Sequence, residues 1–302
     1  MKKSRYAFSM LELIFVIVIM GILGKYGVEF LARAYDNFIF SKINNDLQAK
    51  SASSVEFISK RLENRIKRST RTFNAAGAWS YLDASISDNT ATTLEWISAD
   101  IDSFRGVSQP WWSGVIDLTS STTTSLVSPG SNFNSVNTAI STLSPSGASL
   151  SDAVIYFLDS ALVAEYVGAT LDTRGFYTNL TGTPIQAHTL HPIQAGGSSN
   201  TLTPVPSFQT GDTIHEYYKL AWTGNAVRLE NYNATTNMGD LYFYYDYQPW
   251  QGEAFTTGQK VLLAEGISAF RFRTAGTLIK IQVCAKSNLT ERYALCKEKT
   301  VF

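Results

Sequence analysis

A single carboxylate interrupts the most apolar stretch of this 302-residue chain. The stretch runs from Phe8 to Leu23, reads FSMLELIFVIVIMGIL, and has Glu12 as its one charged residue. A charge at the centre of a membrane-spanning helix costs about 2.5–3.5 kcal/mol on insertion scales, and less near a helix end. The residues alone leave two roles for Glu12. It pairs with an opposite charge in a dry setting, or it snorkels to the interface from a plain signal anchor.

The residues before the apolar stretch differ from those of a conventional signal peptide. The leader MKKSRYA carries three basic residues and no acid, which holds it in the cytoplasm and sends the following chain outward. A signal peptidase site of small residues normally follows the apolar run, but the segment after Leu23 has no convincing A-x-A site. The small residue Ala7 precedes the run instead. Cleavage after Ala7 would leave Phe8 as the new N-terminus.

The basic leader, Ala7, Phe8, the Leu-Glu-Leu triplet around Glu12 and the apolar run resemble the class III signal of type IV pilins and type II secretion pseudopilins. The resemblance implies that a prepilin peptidase cuts between Ala7 and Phe8 and that Phe8 is then N-methylated. It also implies that the carboxylate of Glu12, the fifth residue from Phe8, pairs with the N-terminal nitrogen of a neighbouring subunit during assembly. The family usually has Gly before the cut, where this chain has Ala7.

A helical pattern continues beyond the apolar run. Apolar residues recur at spacings of three and four up to Ile66, and no proline occurs before Pro110. This pattern predicts one helix from Phe8 to about Arg68, roughly 90 Å long at 1.5 Å per residue. We expect a cytoplasmic leader at 1–7, a membrane and assembly helix at 8–30, and a continuing amphipathic helix at 31–71. The predicted weak points are Gly21, Gly24 and Gly27.

The remaining body, residues 72–302, has the composition of a folded, exported, β-rich domain. Charged residues make up 17% of the chain and aromatics 13%. Residues 117–151 are rich in Ser, Thr, Gly and Pro, which predicts a long surface excursion that adds little to the core. Residues 181–207 read as a loop-rich segment. Short β-branched or aromatic runs predict antiparallel strands at AVIYFL, ALVAEYVG (161–168), HEYYKLAWTG, AVRLENY, DLYFYYDY, KVLLAEG, SAFRFRTAG and TLIKIQVCAK. The predicted class is α+β, with one long N-terminal helix laid on an antiparallel sheet in a pilin-like arrangement.

Two cysteines, Cys284 and Cys296, are twelve positions apart. In an exported body a disulfide is the favoured interpretation, and two free thiols or half of a metal site are the alternatives. Neither cysteine belongs to a C-x-x-C motif, and no histidine follows His215, which argues against zinc.

The chain carries no recognisable catalytic motif: no G-x-S-x-G, no P-loop and no H-E-x-x-H. His188 and His191 form H-x-x-H in a loop-rich segment, and His215 precedes an acid, which makes a weak case for a metal or proton-transfer site. Asp100 and Asp102 are candidate calcium ligands, but no EF-hand spacing surrounds them. We therefore predict a protein that is not an enzyme and has no catalytic, cofactor-binding or metal-binding residues.

Charge and aromatic patterns are less specific. Residues 72–302 carry 12 basic and 19 acidic residues, so the body is mildly acidic and nucleic acid is not a predicted partner. A basic cluster closes the helical pattern, and a solvated face explains it more simply than a binding patch. Its members are Lys60, Arg61, Arg65, Lys67, Arg68 and Arg71. The aromatic run Tyr242–Trp250 fills a core or forms a subunit contact.

The resemblance implies a function as well as a fold. The sequence VLLAEGISAFRFR and its following apolar strand resemble the C-terminal part of larger minor pilins and pseudopilin J. We therefore expect a minor, structural subunit that starts or caps a periplasmic pseudopilus of a type II secretion system or a related type IV pilus. Its expected location is the bacterial inner membrane, single-pass, with the body in the periplasm and then at a filament tip.

The expected partners are other pilins or pseudopilins, prepilin peptidase, the inner-membrane assembly platform and the lipid bilayer. Within the family, the alternative is a minor pilin of a DNA-uptake or adhesion pilus. From a different class, the alternative is a membrane-anchored periplasmic enzyme or ligand-binding domain.

The cleavage site gives a direct prediction. We expect the mature protein to begin at N-methylated Phe8. The reason is that the peptidase cuts after the small residue Ala7, before the apolar run, and not at a site after the run. N-terminal sequencing and the intact mass of the membrane-inserted protein check this. A mature chain that begins at Met1, or after residue 25, would contradict the pilin interpretation.

Overall fold

A computed structural model describes residues 10–66, 69–82, 91–158, 190–208, 214–275, 278–287 and 293–302 of the chain. The fold is α+β, as predicted, with a long N-terminal helix and curled antiparallel sheets. The helices in these ranges are α1 (Met10–Glu63), α2 (Ile101–Arg105) and α3 (Phe133–Leu143). The strands are β1 (Arg71–Asn74), β2 (Trp79–Tyr81), β3 (Ala91–Ile97), β4 (Leu126–Val127), β5 (Val154–Phe157), β6 (His191–Ala195), β7 (Thr201–Pro204), β8 (Tyr218–Ala221), β9 (Gly224–Asn233), β10 (Met238–Tyr245), β11 (Gln259–Ala275), β12 (Leu278–Lys286) and β13 (Ala294–Val301).

Helix α1 is a single rod. It runs unbroken through Gly21, Gly24 and Gly27, so these residues lower its stability without interrupting it. Its 54 residues extend about 81 Å at 1.5 Å per residue.

The rod ends earlier than the sequence predicts. The predicted helical segment 31–71 is helical only to Glu63, and β1 already begins at Arg71. The cause is a change of backbone partner: the N–H of Ile66 donates to the carbonyl of Ile97 at 2.8 Å. The chain therefore leaves the helix by pairing with the sheet.

The larger sheet has eight strands in the order β13-β12-β11-β10-β9-β3-β1-β2. Its neighbouring strands are antiparallel wherever the structure describes them. The sheet curls around the C-terminal half of α1, which contacts β11, β12 and β13. The helix and the sheet thus share one hydrophobic core.

That core is built from one face of α1. The buried apolar side chains of the helix are Ile43, Leu47, Val55, Ile58 and Leu62. They pack in one cluster with sheet residues that include Leu94, Trp96, Val227, Phe243 and Ile281. Three serines on the same helix face are also buried, at positions 51, 54 and 59. Their small side chains let the backbone approach the sheet, and Ser51 Oγ donates to the carbonyl of Leu47 at 2.8 Å.

Two predicted strands are one strand in the structure. KVLLAEG and SAFRFRTAG together form β11, which has 17 residues. The first half of β11 pairs with β10 and the second half with β12, and register shifts lie between them. Gly266, with φ of +72°, lies at this change of partner. In the sequence, Gly266 indicates the end of a strand, but in the structure it allows a bend within one continuous strand.

Strand β13 was not predicted. Its sequence ALCKEKTV alternates partly buried and exposed residues, with charges at Lys297, Glu298 and Lys299. Charged side chains are a common feature of edge strands because they oppose pairing with another sheet. The mixed polarity that hides this strand from a hydrophobicity search is therefore explained by its place at the edge.

The aromatic run in β10 and the segment after it serves mainly as core. Phe243, Tyr244, Tyr247 and Trp250 are each no more than 4% exposed. These rings belong to three separate clusters on both sides of the sheet. The subunit-contact interpretation therefore does not fit these four residues.

A second sheet interrupts the first. It has the order β4-β7-β6-β5-β8, and all of it lies in the chain between β3 and β9. Yet β3 and β9 are paired neighbours in the larger sheet, with Ile97 opposite Gly224. Residues 98–223 therefore form an insertion whose two ends meet. The predicted single sheet for residues 72–302 is thus two sheets, each with its own hydrophobic cluster.

The segment 117–151 is wrongly predicted as an excursion outside the core. It contains β4 and α3, and the side chains of Leu126, Phe133, Val136 and Ile140 are at most 1% exposed. These residues belong to the hydrophobic cluster of the insertion. A few apolar residues among many Ser and Thr are enough to build this cluster. They recur on one face of α3 and pack against one side of the smaller sheet.

The loop-rich interpretation of residues 181–207 is also partly wrong, since β6 and β7 form there. Both are short, and Pro192 and Pro204 lie within them, which obscures the strand pattern. The predicted strand at 161–168 lies outside the described residues.

The disulfide prediction is confirmed: Cys284 and Cys296 are bonded. The two residues lie directly opposite each other on β12 and β13. The bond therefore joins the edge strand to the sheet at the level where β13 begins.

The packing of α1 predicts a position-dependent stability effect. Ile58 is fully buried, so Ile58→Ala should lower the free energy of unfolding of the body by about 2–5 kcal/mol. Urea denaturation of the full chain in detergent micelles measures this by tryptophan fluorescence, since all six tryptophans lie outside α1.

The matched control is Ile22→Ala on the same helix, where the native side chain is 51% exposed. It should leave the unfolding of the body unchanged within about 0.5 kcal/mol. Equal effects of the two substitutions would contradict the division of α1 into a protruding and a packed half.

Candidate functional site

The N-terminal half of α1 is an apolar surface that the described part of the chain leaves uncovered. From Met10 to Leu23 the large apolar side chains are between 39% and 84% exposed. The first buried residue of the helix is Ile43. The helix is long and apolar enough to cross a membrane, and its most apolar window is not covered by any described residue. It is therefore a candidate membrane span.

Exposed apolar and aromatic side chains continue past the span. Phe30, Tyr35, Phe38 and Phe40 are 51–71% exposed. Charged residues are interspersed, and one ion pair within this region joins Arg33 to Glu29 at 2.7 Å. This stretch, from Phe30 to Phe40, is called the neck below.

Glu12 lies in the first turn of α1, on the exposed surface. The helix N-terminus carries partial positive charge, which favours a carboxylate in that turn. Ala7 and Phe8, the predicted cleavage and methylation residues, lie outside the described residues. The structure thus places Glu12 at the end of the protruding half, farthest from the body.

The histidines do not form a site in the described part of the chain. His191 is buried in β6, and its ring centroid lies 5.5 Å from that of Phe157. His215 contacts the same phenylalanine at 6.0 Å. His188 lies outside the described residues. Within those residues, no group of three His, Cys, Asp or Glu side chains is placed to hold a metal ion.

The two candidate calcium ligands have separate roles. Asp100 is buried and caps α2, where its Oδ1 accepts from the backbone N–H of Ser103 at 3.0 Å. Burial raises the pKa of the Asp100 carboxyl. Asp102 is exposed in the first turn of the same helix. The structure therefore gives Asp100 a structural function rather than a place in a shared calcium site.

A cluster of hydroxyl groups lies inside the insertion. Ser128 Oγ is 2.8 Å from Ser131 Oγ, 3.1 Å from Ser113 Oγ and 2.9 Å from the Tyr218 hydroxyl. A nucleophilic serine needs an adjacent base to activate it. The hydrogen-bonding partners described for these four residues are hydroxyl and backbone groups, so the cluster joins β8 to the segments around Ser113 and between β4 and α3 rather than forming a catalytic pair.

One buried charged group is not apparent from the sequence. Glu95 on β3 is fully buried, forms an ion pair with Arg71, and accepts a hydrogen bond from the Tyr247 hydroxyl at 2.9 Å. Burial raises the pKa of the Glu95 carboxyl, against the opposing effects of Arg71 and Tyr247. Both carboxylate oxygens are occupied, which leaves no room for a substrate. A glutamate in a strand pattern gives no signal of such a cluster, because its partners are distant in sequence.

Comparisons with protein-family models, with curated proteins and with solved structures found no match for this chain.

The Glu95 cluster predicts a defined pH dependence. Because burial raises the pKa of Glu95 above its ordinary value of 4.5, the native protein holds a proton that the unfolded chain has released at pH values between the unfolded and the folded pKa. We therefore expect the stability of the wild type relative to Glu95→Gln to fall as pH rises from about 4.5 through the folded pKa. Urea denaturation of both proteins over a pH series measures this difference.

Glu298→Gln is the control, since Glu298 forms an exposed ion pair with Lys280. This variant measures how much stability is lost when a surface carboxylate and its ion pair are removed. A stability difference for Glu95 that increases with pH would show that Arg71, and not burial, sets the pKa.

Proposed function

We propose that this protein is a minor pilin or pseudopilin, a non-enzymatic structural subunit that starts or caps a periplasmic filament of a type II secretion system or a related type IV pilus. One observation carries the proposal. A single helix joins an uncovered apolar half, with Glu12 at its far end, to a half that packs on an antiparallel sheet.

The energetics of the uncovered half require a second environment. Burying a large apolar side chain is worth about 1.5–3 kcal/mol, and the stretch from Met10 to Leu23 exposes twelve of them. A bilayer supplies that environment before assembly. After assembly, the helices of neighbouring subunits supply the apolar environment, whether or not the bilayer still contributes.

The neck supports assembly rather than anchoring alone. A hydrocarbon core of about 30 Å accounts for roughly 20 helical residues, or Met10 to about Glu29. The neck then lies beyond the membrane and before the body. Its exposed aromatic side chains need a protein partner, since lipid tails do not reach them. Neighbouring pilin helices are such partners.

Glu12 sets the register in this proposal. Cleavage after Ala7 releases the amine of Phe8, and the carboxylate of an incoming Glu12 pairs with the amine of the subunit already in place. The pairing compensates the cost of a charge in a dry setting, and it aligns each subunit at the membrane. The partners are prepilin peptidase, the inner-membrane assembly platform and other pilins or pseudopilins.

The location follows from the same features. The basic leader supports an orientation with the body outside the cytoplasm. The Cys284–Cys296 disulfide fits an oxidising compartment such as the periplasm. The insertion of residues 98–223 adds bulk to the body, which supports a place at a filament end rather than repeated packing along the shaft.

The test substitutes the carboxylate. Glu12→Ala should insert and be cleaved like the wild type, because it only removes a charge from an apolar helix. It should lower incorporation into filaments about tenfold or more, since a pairing worth 1.4 kcal/mol corresponds to about a factor of ten. Quantifying the subunit in sheared or cross-linked filaments, against the membrane-inserted pool, measures this ratio.

Glu29→Ala is the matched control, because it removes an acid from another exposed position of the same helix and breaks only the surface ion pair with Arg33. It should assemble normally. Normal incorporation of Glu12→Ala, or an equal loss for both variants, would contradict the register role of Glu12.

A further inference from the structure

A polar cleft lies where α1, the larger sheet and the insertion meet. Its lining includes Lys60 and Arg61 of α1, Asn64 directly after α1, and Asp102 and Arg105 of α2. Its floor includes Ser98, Thr223 and Asn225, at the two points where the chain enters and leaves the insertion. The cleft therefore belongs to all three parts of the fold.

The size of the cleft restricts its ligand. Its volume is about 180 Å³, whereas pockets that bury drug-sized ligands have about 300–1,000 Å³. The end of one side chain or a small ion fits, together with some water. A nucleotide or a sugar chain does not.

The charged groups of the cleft are mostly cations without counter-ions. Within the described residues, neither Arg61 nor Arg105 lies within 4.0 Å of a carboxylate oxygen. Lys60 is 3.9 Å from Glu56, whose other oxygen already accepts from Lys299 at 2.8 Å. Three basic residues, Lys60, Arg61 and Arg105, and two acidic residues, Asp100 and Asp102, line the cleft. The lining therefore has one more basic than acidic residue.

Two of the donors are held in place. The guanidinium carbon of Arg61 lies 5.7 Å from the ring centroid of Phe57 and 5.8 Å from that of Phe243. Stacking on rings restrains a guanidinium and leaves its N–H edge available. Ser98 Oγ accepts hydrogen bonds from Trp96 and Asn225, and no described group accepts its proton. The Ser98 hydroxyl is therefore a donor for an additional acceptor.

We propose that this cleft is a carboxylate-binding site that takes the Asp or Glu side chain of a segment of another protein. A carboxylate is an acceptor-only group with one negative charge, and it matches the donors and the surplus charge of the cleft. The excess of basic over acidic side chains in the lining favours an anion over a metal ion as the ligand. This inference does not depend on the proposed filament function.

The test uses the full chain in detergent micelles and two capped tripeptides, acetyl-Ala-Glu-Ala-amide and acetyl-Ala-Gln-Ala-amide. Saturation-transfer NMR of the peptide gives the affinity. We expect binding of the Glu peptide and at least about tenfold weaker binding of the Gln peptide. Arg105→Gln and Arg61→Gln should each weaken the binding of the Glu peptide about tenfold, since charge-assisted hydrogen bonds are lost.

Arg271→Gln is the control, because Arg271 is exposed on β11 and does not line the cleft. It should leave binding unchanged. Acetate should compete with the Glu peptide for the same site. The proposal is overturned if the two peptides bind equally, if Arg271→Gln weakens binding as much as Arg105→Gln, or if acetate binds and the Glu peptide does not. The last result would assign the cleft to a free small carboxylate.

Discussion

The structure depends on the contact between one face of α1 and the curled sheet. The same helix lies in two environments, and the boundary near Ile43 separates them. On one side, apolar residues face the sheet together with small serines that allow close packing. On the other, from Met10 to Leu23, apolar residues cover the whole circumference and no described residue covers them. Without the packed half, the protruding half would have no fixed direction relative to the body.

The sheet in turn depends on pairings between distant parts of the chain. Strand β3 meets β9 across the insertion, and the Glu95 cluster joins β1, β3 and the segment after β10. A second link crosses between the two sheets, where Ser144 Oγ donates to Asp246 Oδ1 at 2.5 Å and the backbone N–H of Ser146 donates to Oδ2 at 2.8 Å. The insertion is therefore tied to the larger sheet beyond its two entry strands.

The sequence predicted those features that local periodicity and composition determine. The rod, the exposed apolar half, the strands β5 and β8 to β12 and the disulfide fall in this group, and so does the position of Glu12. The end of the rod at Glu63 was not predictable, because Ile66 exchanges its helical partner for a strand far along the chain. The single strand β11, the division into two sheets and the Glu95 cluster likewise rest on contacts between distant residues. Segment 117–151 was wrongly predicted to lie outside the core, because its few apolar residues are separated by many Ser and Thr.

The pairing of Ile97 with Gly224 has a consequence for variation. The strands that flank residues 98–223, β3 and β9, are paired neighbours. The insertion therefore attaches to the larger sheet as a loop between two adjacent strands does. The entropy of closing a loop rises slowly with its length, by about 0.6 kcal/mol for each doubling. The insertion can therefore be lengthened, shortened or replaced by another fold while α1 and the larger sheet keep their packing. The sequence and length of the insertion can therefore change without changing the contact between α1 and the larger sheet.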